Sequence, residues 1–112
     1  MLFNKIYEVI HFIEAVKKDY PVEMEYVFSN GFCYWFAKIL EIRFNGKIYF
    51  NPRIIHFATL IDNQLFDIKG IVDDLDDVWY EWDEYQMTHG VDDIYSSCIL
   101  KDDNYEEDNK NE

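Results

Sequence analysis

Three side chains of this 112-residue chain combine into a recognisable chemistry: Cys33, His56 and Asp67. A thiol near its free pKa of about 8.5 is mostly protonated at neutral pH, and it becomes a strong nucleophile at a helix N-terminus or beside an imidazolium. Cys33 follows the turn Ser29-Asn30-Gly31 and opens a run of helix formers. The unpaired N–H groups and positive dipole end of such a helix start favour a thiolate and can donate to an oxyanion. His56 supplies an imidazole, and Asp67 a carboxylate to fix its tautomer. Asn30 is a weaker oxyanion candidate, since a turn gives Asn sufficient reason to be there. Each residue also has a plain structural reading, the cysteine as a buried space-filler and the others as ordinary strand residues.

For the three to meet, the surrounding elements must place them. The spacing of Leu2, Ile6, Val9, Ile13 and Val16 predicts an amphipathic helix over residues 3–18. Pro21 ends it, and the alternation Val22, Met24, Tyr26, Phe28 predicts a short extended segment. Cys33 to Phe44 predicts a central, mostly buried helix stopped by Asn45-Gly46, and Lys47 to Phe50 a strand ended by Asn51-Pro52. Residues 54–61 and 64–69 predict a β-hairpin around Asp62-Asn63, a pair that tolerates positive φ. If Ile61 pairs with Gln64, His56 and Asp67 become diagonal neighbours on one face, with Cβ atoms roughly 7 Å apart. A slip of one residue would send them to opposite faces.

The residues then resemble a family. Gly31-Phe32-Cys33-Tyr34-Trp35-Phe36-Ala37, followed by Arg43-Phe44-Asn45-Gly46, resembles the G-x-C-x-x-x-A helix of transglutaminase-like proteins. His56-Phe57-Ala58 and Leu65-Phe66-Asp67-Ile68 resemble their H-A-W and D-P-T strands, with Phe57-Ala58 and Ile68 as departures. The resemblance covers residues 29–70. It implies an α+β papain-like core and a cysteine hydrolase or acyltransferase acting on a peptide, isopeptide or side-chain amide. Cys33 would be nucleophile, His56 general base and Asp67 orienting acid, with no cofactor.

The C-terminal third differs in character. Residues 1–70 carry eight Lys or Arg against eight Asp or Glu, whereas residues 71–112 carry two against fifteen, so all of the net charge of -13 lies there. Leu75, Val78, Trp79, Trp82 and Tyr85, set among seven carboxylates from Asp73 to Glu84, predict an acidic helix that Gly90 can stop. Tyr80 would face out. Val91 to Leu100 would add an edge strand or packed loop, and residues 102–112 a disordered acidic tail after an α+β domain spanning 1–101. Asp73, Asp74, Asp76, Asp77, Trp79 and Trp82 could meet a basic protein partner. The alternative function is therefore a non-catalytic, acidic interaction or inhibitor protein, of the kind phages encode. The Asn, Ile, Lys and Tyr bias is compatible with AT-rich coding.

Several classes are disfavoured. An acidic surface repels phosphate backbones, so direct nucleic-acid binding is not expected. No apolar run approaches the roughly 20 residues of a bilayer span. Two cysteines without a leader-like start suggest a reduced, cytoplasmic setting. His11 reads as structural, His89 beside Asp92 and Asp93 as a solvated turn, and Cys98 as packing. No metal site is expected.

Overall fold

The computed structural model describes residues 2–73 and 77–99. It shows an α+β fold. Helix α1 spans Leu2–Lys17, α2 Pro21–Ser29 and α3 Cys33–Phe44; strands β1 (Lys47–Asn51), β2 (His56–Ile61), β3 (Gln64–Asp67) and β4 (Gly70–Ile71) follow. The chain continues through β5 (Tyr80–Glu81), α4 (Trp82–Thr88), α5 (Asp92–Ile94) and a π-helical turn, Tyr95–Ile99. The five strands form one antiparallel sheet in the order β4-β3-β2-β1-β5.

Two core clusters lie against that sheet, and α3 feeds both. Phe36, Leu40 and Phe44 pack with Val9 and Ile13 of α1 and with Ile61, Phe66 and Ile68. Cys33 and Ala37, one turn apart on the adjoining line of the helix, pack with Ile48, Phe50, Phe57, Trp82 and Cys98. Aromatic rings knit the second cluster: Phe57 meets Trp82 edge-on at 4.8 Å, and Phe50 lies 4.8 Å from Phe57. Thr59, fully buried on β2, donates its hydroxyl to the Ala37 carbonyl at 2.8 Å, which satisfies its polar atom and ties sheet to helix.

The helix boundaries of α3 match the expectation, and its stop is of the expected kind. Asn45 adopts the left-handed conformation at φ 57, and the Gly46 N–H returns to the Glu41 carbonyl. The hairpin also forms as read: Asp62 and Asn63 both have positive φ, and Ile61 pairs with Gln64. Its first arm is shorter than expected, because residues 52–55 form a turn and β2 begins only at His56.

Three local expectations are corrected. Residues 22–28 are helical: Pro21 occupies the first turn, where its fixed φ suits a helix and its missing N–H costs nothing, and that outweighs the alternation. The acidic helix expected from about Asp73 up to Gly90 begins only at Trp82, where the Glu81 side chain caps by accepting from the Glu84 N–H. Residues 77–79 are irregular and lead into β5. Finally, the stretch after Val91, expected as an edge strand or a packed loop, forms α5 and the π-helical turn, which bury Cys98 and Ile99. Asp74, Leu75, Asp76, Leu100 and the 102–112 tail lie outside the described residues.

Candidate functional site

Local geometry brings Cys33 to the start of a helix. Gly31 takes φ 108, a conformation that L side chains rarely adopt, and after it Phe32 caps α3 with Cys33 as the first helical residue. From the neighbouring sheet, His56 opens β2 and Asp67 closes β3. The register that pairs Thr59 with Phe66 leaves both on one face.

The three side chains form one cluster. His56 Nε2 donates to Asp67 Oδ2 at 2.9 Å, and the other oxygen of that carboxylate accepts the Lys69 N–H at 2.8 Å. Both Asp67 oxygens are thus committed, which fixes the carboxylate. The Cys33 thiol acts on the same imidazole and, like Asp67, favours its charged form. Burial alone would disfavour the imidazolium. The hydrogen bonds to Asp67 and Cys33, with their charges, outweigh it and hold the His56 pKa up at about 9. The ring is charged at neutral pH. Cys33 is only 4% exposed and packs in the second core cluster.

The turn before His56 is firmly held. Asn51, fully buried, accepts from the Arg53 N–H and donates to Asp77 Oδ2, while the Arg53 guanidinium pairs with the same carboxylate. Ile55 then takes φ 52, a left-handed conformation that is strained for a β-branched residue. Beside it lies a cavity of about 360 Å³ whose walls include Ile54, Ile55, His56, Asp67, Lys69 and Trp79. A larger one, about 620 Å³ between α1 and α3, has no cysteine in its lining, and its Arg43 guanidinium lies over the Phe12 ring at 4.6 Å.

Other candidate residues fall elsewhere. The Asn30 amide donates to the Tyr26 carbonyl at the end of α2. Of the residues read as a partner face, Asp77 is engaged by Arg53 and Asn51, Trp82 is 3% exposed in the core, and Trp79 stands edge-on to His56 with centroids 6.3 Å apart. Asp73 is exposed, and Asp74 and Asp76 lie outside the described residues. His89 stacks on Tyr85 at 4.0 Å, His11 meets Tyr7 edge-on, and the two cysteines are not joined in a disulfide. Among the described residues no group of three or more His, Cys, Asp or Glu could hold a metal, and no helix is long and apolar enough to cross a membrane. The approach of Trp79 to His56 was not legible in the sequence, where periodicity assigned it to a helix.

Comparison with known proteins corrects the family. A family model described as Phage YunG-like protein matches residues 9–103. No curated protein and no solved structure matches the chain. The match encloses the whole 29–70 stretch, and nothing indicates a transglutaminase-like or papain-like superfamily. A thiol, an imidazole and a carboxylate in a given order recur on unrelated folds, so their order alone does not establish descent.

Proposed function

We propose, on the premise that this chain belongs to the Phage YunG-like protein family, that it is a phage-encoded interaction protein whose acidic C-terminal third meets a basic partner. The charge distribution carries this reading: fifteen carboxylates against two cations after residue 70. The fold supports rigid presentation. Trp82 anchors α4 in the core beside Phe50, while Asp83 and Glu84 on α4, and Asp92 and Asp93 on α5, stand exposed. A fixed field of one sign speeds encounter with an oppositely charged surface and weakens as salt screens it. Intracellular action in a reduced setting belongs to the same proposal.

The test uses a defined basic probe, poly-lysine. Neutralising Asp83, Glu84, Asp92 and Asp93 to their amides is expected to weaken binding about tenfold or more at low salt. Neutralising Glu8, Glu14, Asp19 and Glu23, the same number of exposed carboxylates on and between α1 and α2, is expected to leave it nearly unchanged. Equal losses in the two variants would defeat the localised reading.

A second reading rests on one observation: the His56 ring is bonded to the Asp67 carboxylate and feels the Cys33 thiol at the start of α3. An imidazolium at neutral pH favours a neighbouring thiolate, and the first N–H groups of α3 are placed to receive an oxyanion. In this reading Cys33 is a nucleophile, His56 the proton acceptor and donor, Asp67 its orienting partner, and the acidic surface recruits the protein to be modified. Cys33 is expected to react with iodoacetamide at least about tenfold faster than Cys98. Slow and equal labelling of the two would remove the chemical reading and leave the binding one. Binding of the basic probe is expected to survive Cys33→Ala.

A further inference from the structure

A cavity on α4 differs in character from the one beside His56. It has a volume of about 240 Å³ and is walled by Tyr80, Tyr85 and His89 together with Glu81, Glu84 and Thr88. These residues recur as adjacent pairs at every fourth position, so the end of β5 and one face of α4 bring them together.

The rings are held in place by the fold. Tyr85 packs on Phe50 of the second core cluster, with centroids 5.2 Å apart, and the backbone of Tyr80 is fixed by the pairing of β5 with β1 at Phe50. His89 stacks on Tyr85 at 4.0 Å and within 3° of parallel, and its Nδ1 is hydrogen-bonded with the Thr88 hydroxyl at 2.9 Å. Tyr80 leans across both, tilted 48° to Tyr85 and 50° to His89. Its side is open, since Tyr80 and His89 are both exposed. The Glu81 carboxylate accepts the Glu84 N–H, which fixes it in the wall.

Aromatic faces are electron-rich and attract cations, and carboxylates beside them add charge of the same sign. No Lys or Arg is among the described lining residues. Rings and carboxylates together suit a cation carried on an apolar stem. The geometry also separates the two cationic side chains. A guanidinium stacks as a plane and is best received against parallel faces, whereas an ammonium is a compact point charge. The parallel pair here is closed at 4.0 Å, and the space between that pair and Tyr80 is bounded by tilted rings.

We propose that this cavity receives a lysine side chain of the basic partner, with the ammonium among the rings and the carboxylates of Glu81 and Glu84 and the methylene stem on Tyr80 and His89. The inference rests on the reading that the acidic C-terminal third meets a basic protein, and it names the side chain that is taken and the place that takes it.

Nα-acetyl-L-lysine amide serves as the probe of the full chain at fixed ionic strength, with the arginine and norleucine amides as controls. An aromatic proton–carbon correlation spectrum reads the rings. The lysine amide is expected to move the Tyr80, Tyr85 and His89 signals saturably, with half-saturation below about 50 mM. Norleucine amide, which has the stem without the charge, should leave them in place. Tyr80→Leu and His89→Leu should each weaken binding about two- to fivefold, read from the Tyr85 signals, as the loss of one exposed cation–π contact implies. Glu84→Gln should weaken it by a similar factor, and Tyr80→Phe, which keeps the ring, should retain it. No saturable ring shift by about 50 mM overturns the proposal. So does an equal shift with norleucine amide, tighter binding of arginine amide, or indifference to both leucine substitutions. Both leucine variants keep every carboxylate, so the pocket and the charged face fail separately. A probe that ignores the rings, with poly-lysine still lost on neutralising Asp83, Glu84, Asp92 and Asp93, leaves a charged surface without a pocket. A probe seated on the rings, with poly-lysine losses equal in the two neutralised variants, keeps the pocket and removes the localised charge reading.

Discussion

His56 is bonded to the Asp67 carboxylate and acted on by the Cys33 thiol, and the consequence is a pH-dependent fold. Its pKa stands at about 9 in the folded chain against 6.5 for the free side chain. A group whose folded pKa is raised contributes its full stabilisation below the unfolded value and loses it as pH rises through the folded one. Stability is therefore expected to fall between about pH 6.5 and 9, by up to roughly 3 kcal/mol for a shift of this size. Urea unfolding across that window checks it. Asp67→Asn removes the largest single raising cause, the Asp67 hydrogen bond, and should flatten the slope; an equally steep slope in that variant would assign the effect to other groups. At this scale the sequence was informative for Cys33, His56 and Asp67, because a turn, a helix start and a hairpin register are local features. Trp79 was beyond it. Its approach to His56 depends on how the chain crosses from β4 to β5, and no periodicity encodes that path.

Between elements, the turn that follows α3 packs directly on β2 at Gly46. A Cβ on Gly46 would lie 2.7 Å from Thr59 Cγ2 and 2.8 Å from both Ile61 Cγ1 and the Leu60 carbonyl oxygen. Backbone cannot yield as a flexible side chain can. Gly46→Ala is therefore expected to destabilise by about 1–3 kcal/mol, the range for overpacking a filled site. Thermal or denaturant unfolding measures it, and an unchanged midpoint would show that the strand can move away. The hairpin was readable because Asp62-Asn63 carries its turn chemistry in two residues. Helix α2 was misread because its Val, Met, Tyr and Phe alternate as in a strand, while none of its residues is buried and a helix suits Pro21. The C-terminal elements failed differently. Trp82 and Tyr85 do lie on a helix, but the cap supplied by Glu81 starts it well after Asp73, and a run of acidic residues has no clear beginning by periodicity alone.

For the molecule as a whole, charge and core occupy different parts of the chain. The buried residues span α1 to the π-helical turn, whereas the excess of carboxylates begins only after β4. Fold class was legible from the pattern of elements, and the family was not, since a 42-residue motif resemblance gave way to a match covering residues 9–103. One arrangement joins these scales. Helix α3 belongs to both clusters, and Cys33 is its first residue as well as a member of the second. A side chain mounted on a loop can lose its alignment while the rest of a protein stays folded, but this thiol has no such independence. Under the chemical reading of Cys33, Phe50→Ala, which empties the second cluster at a cost of about 3–5 kcal/mol, should lower the temperature at which Cys33 loses its faster labelling by the same amount as it lowers the melting temperature. The thiol then serves as a built-in gauge of the core, and selection to keep its reactivity would also be selection to keep the packing of residues far from it in sequence.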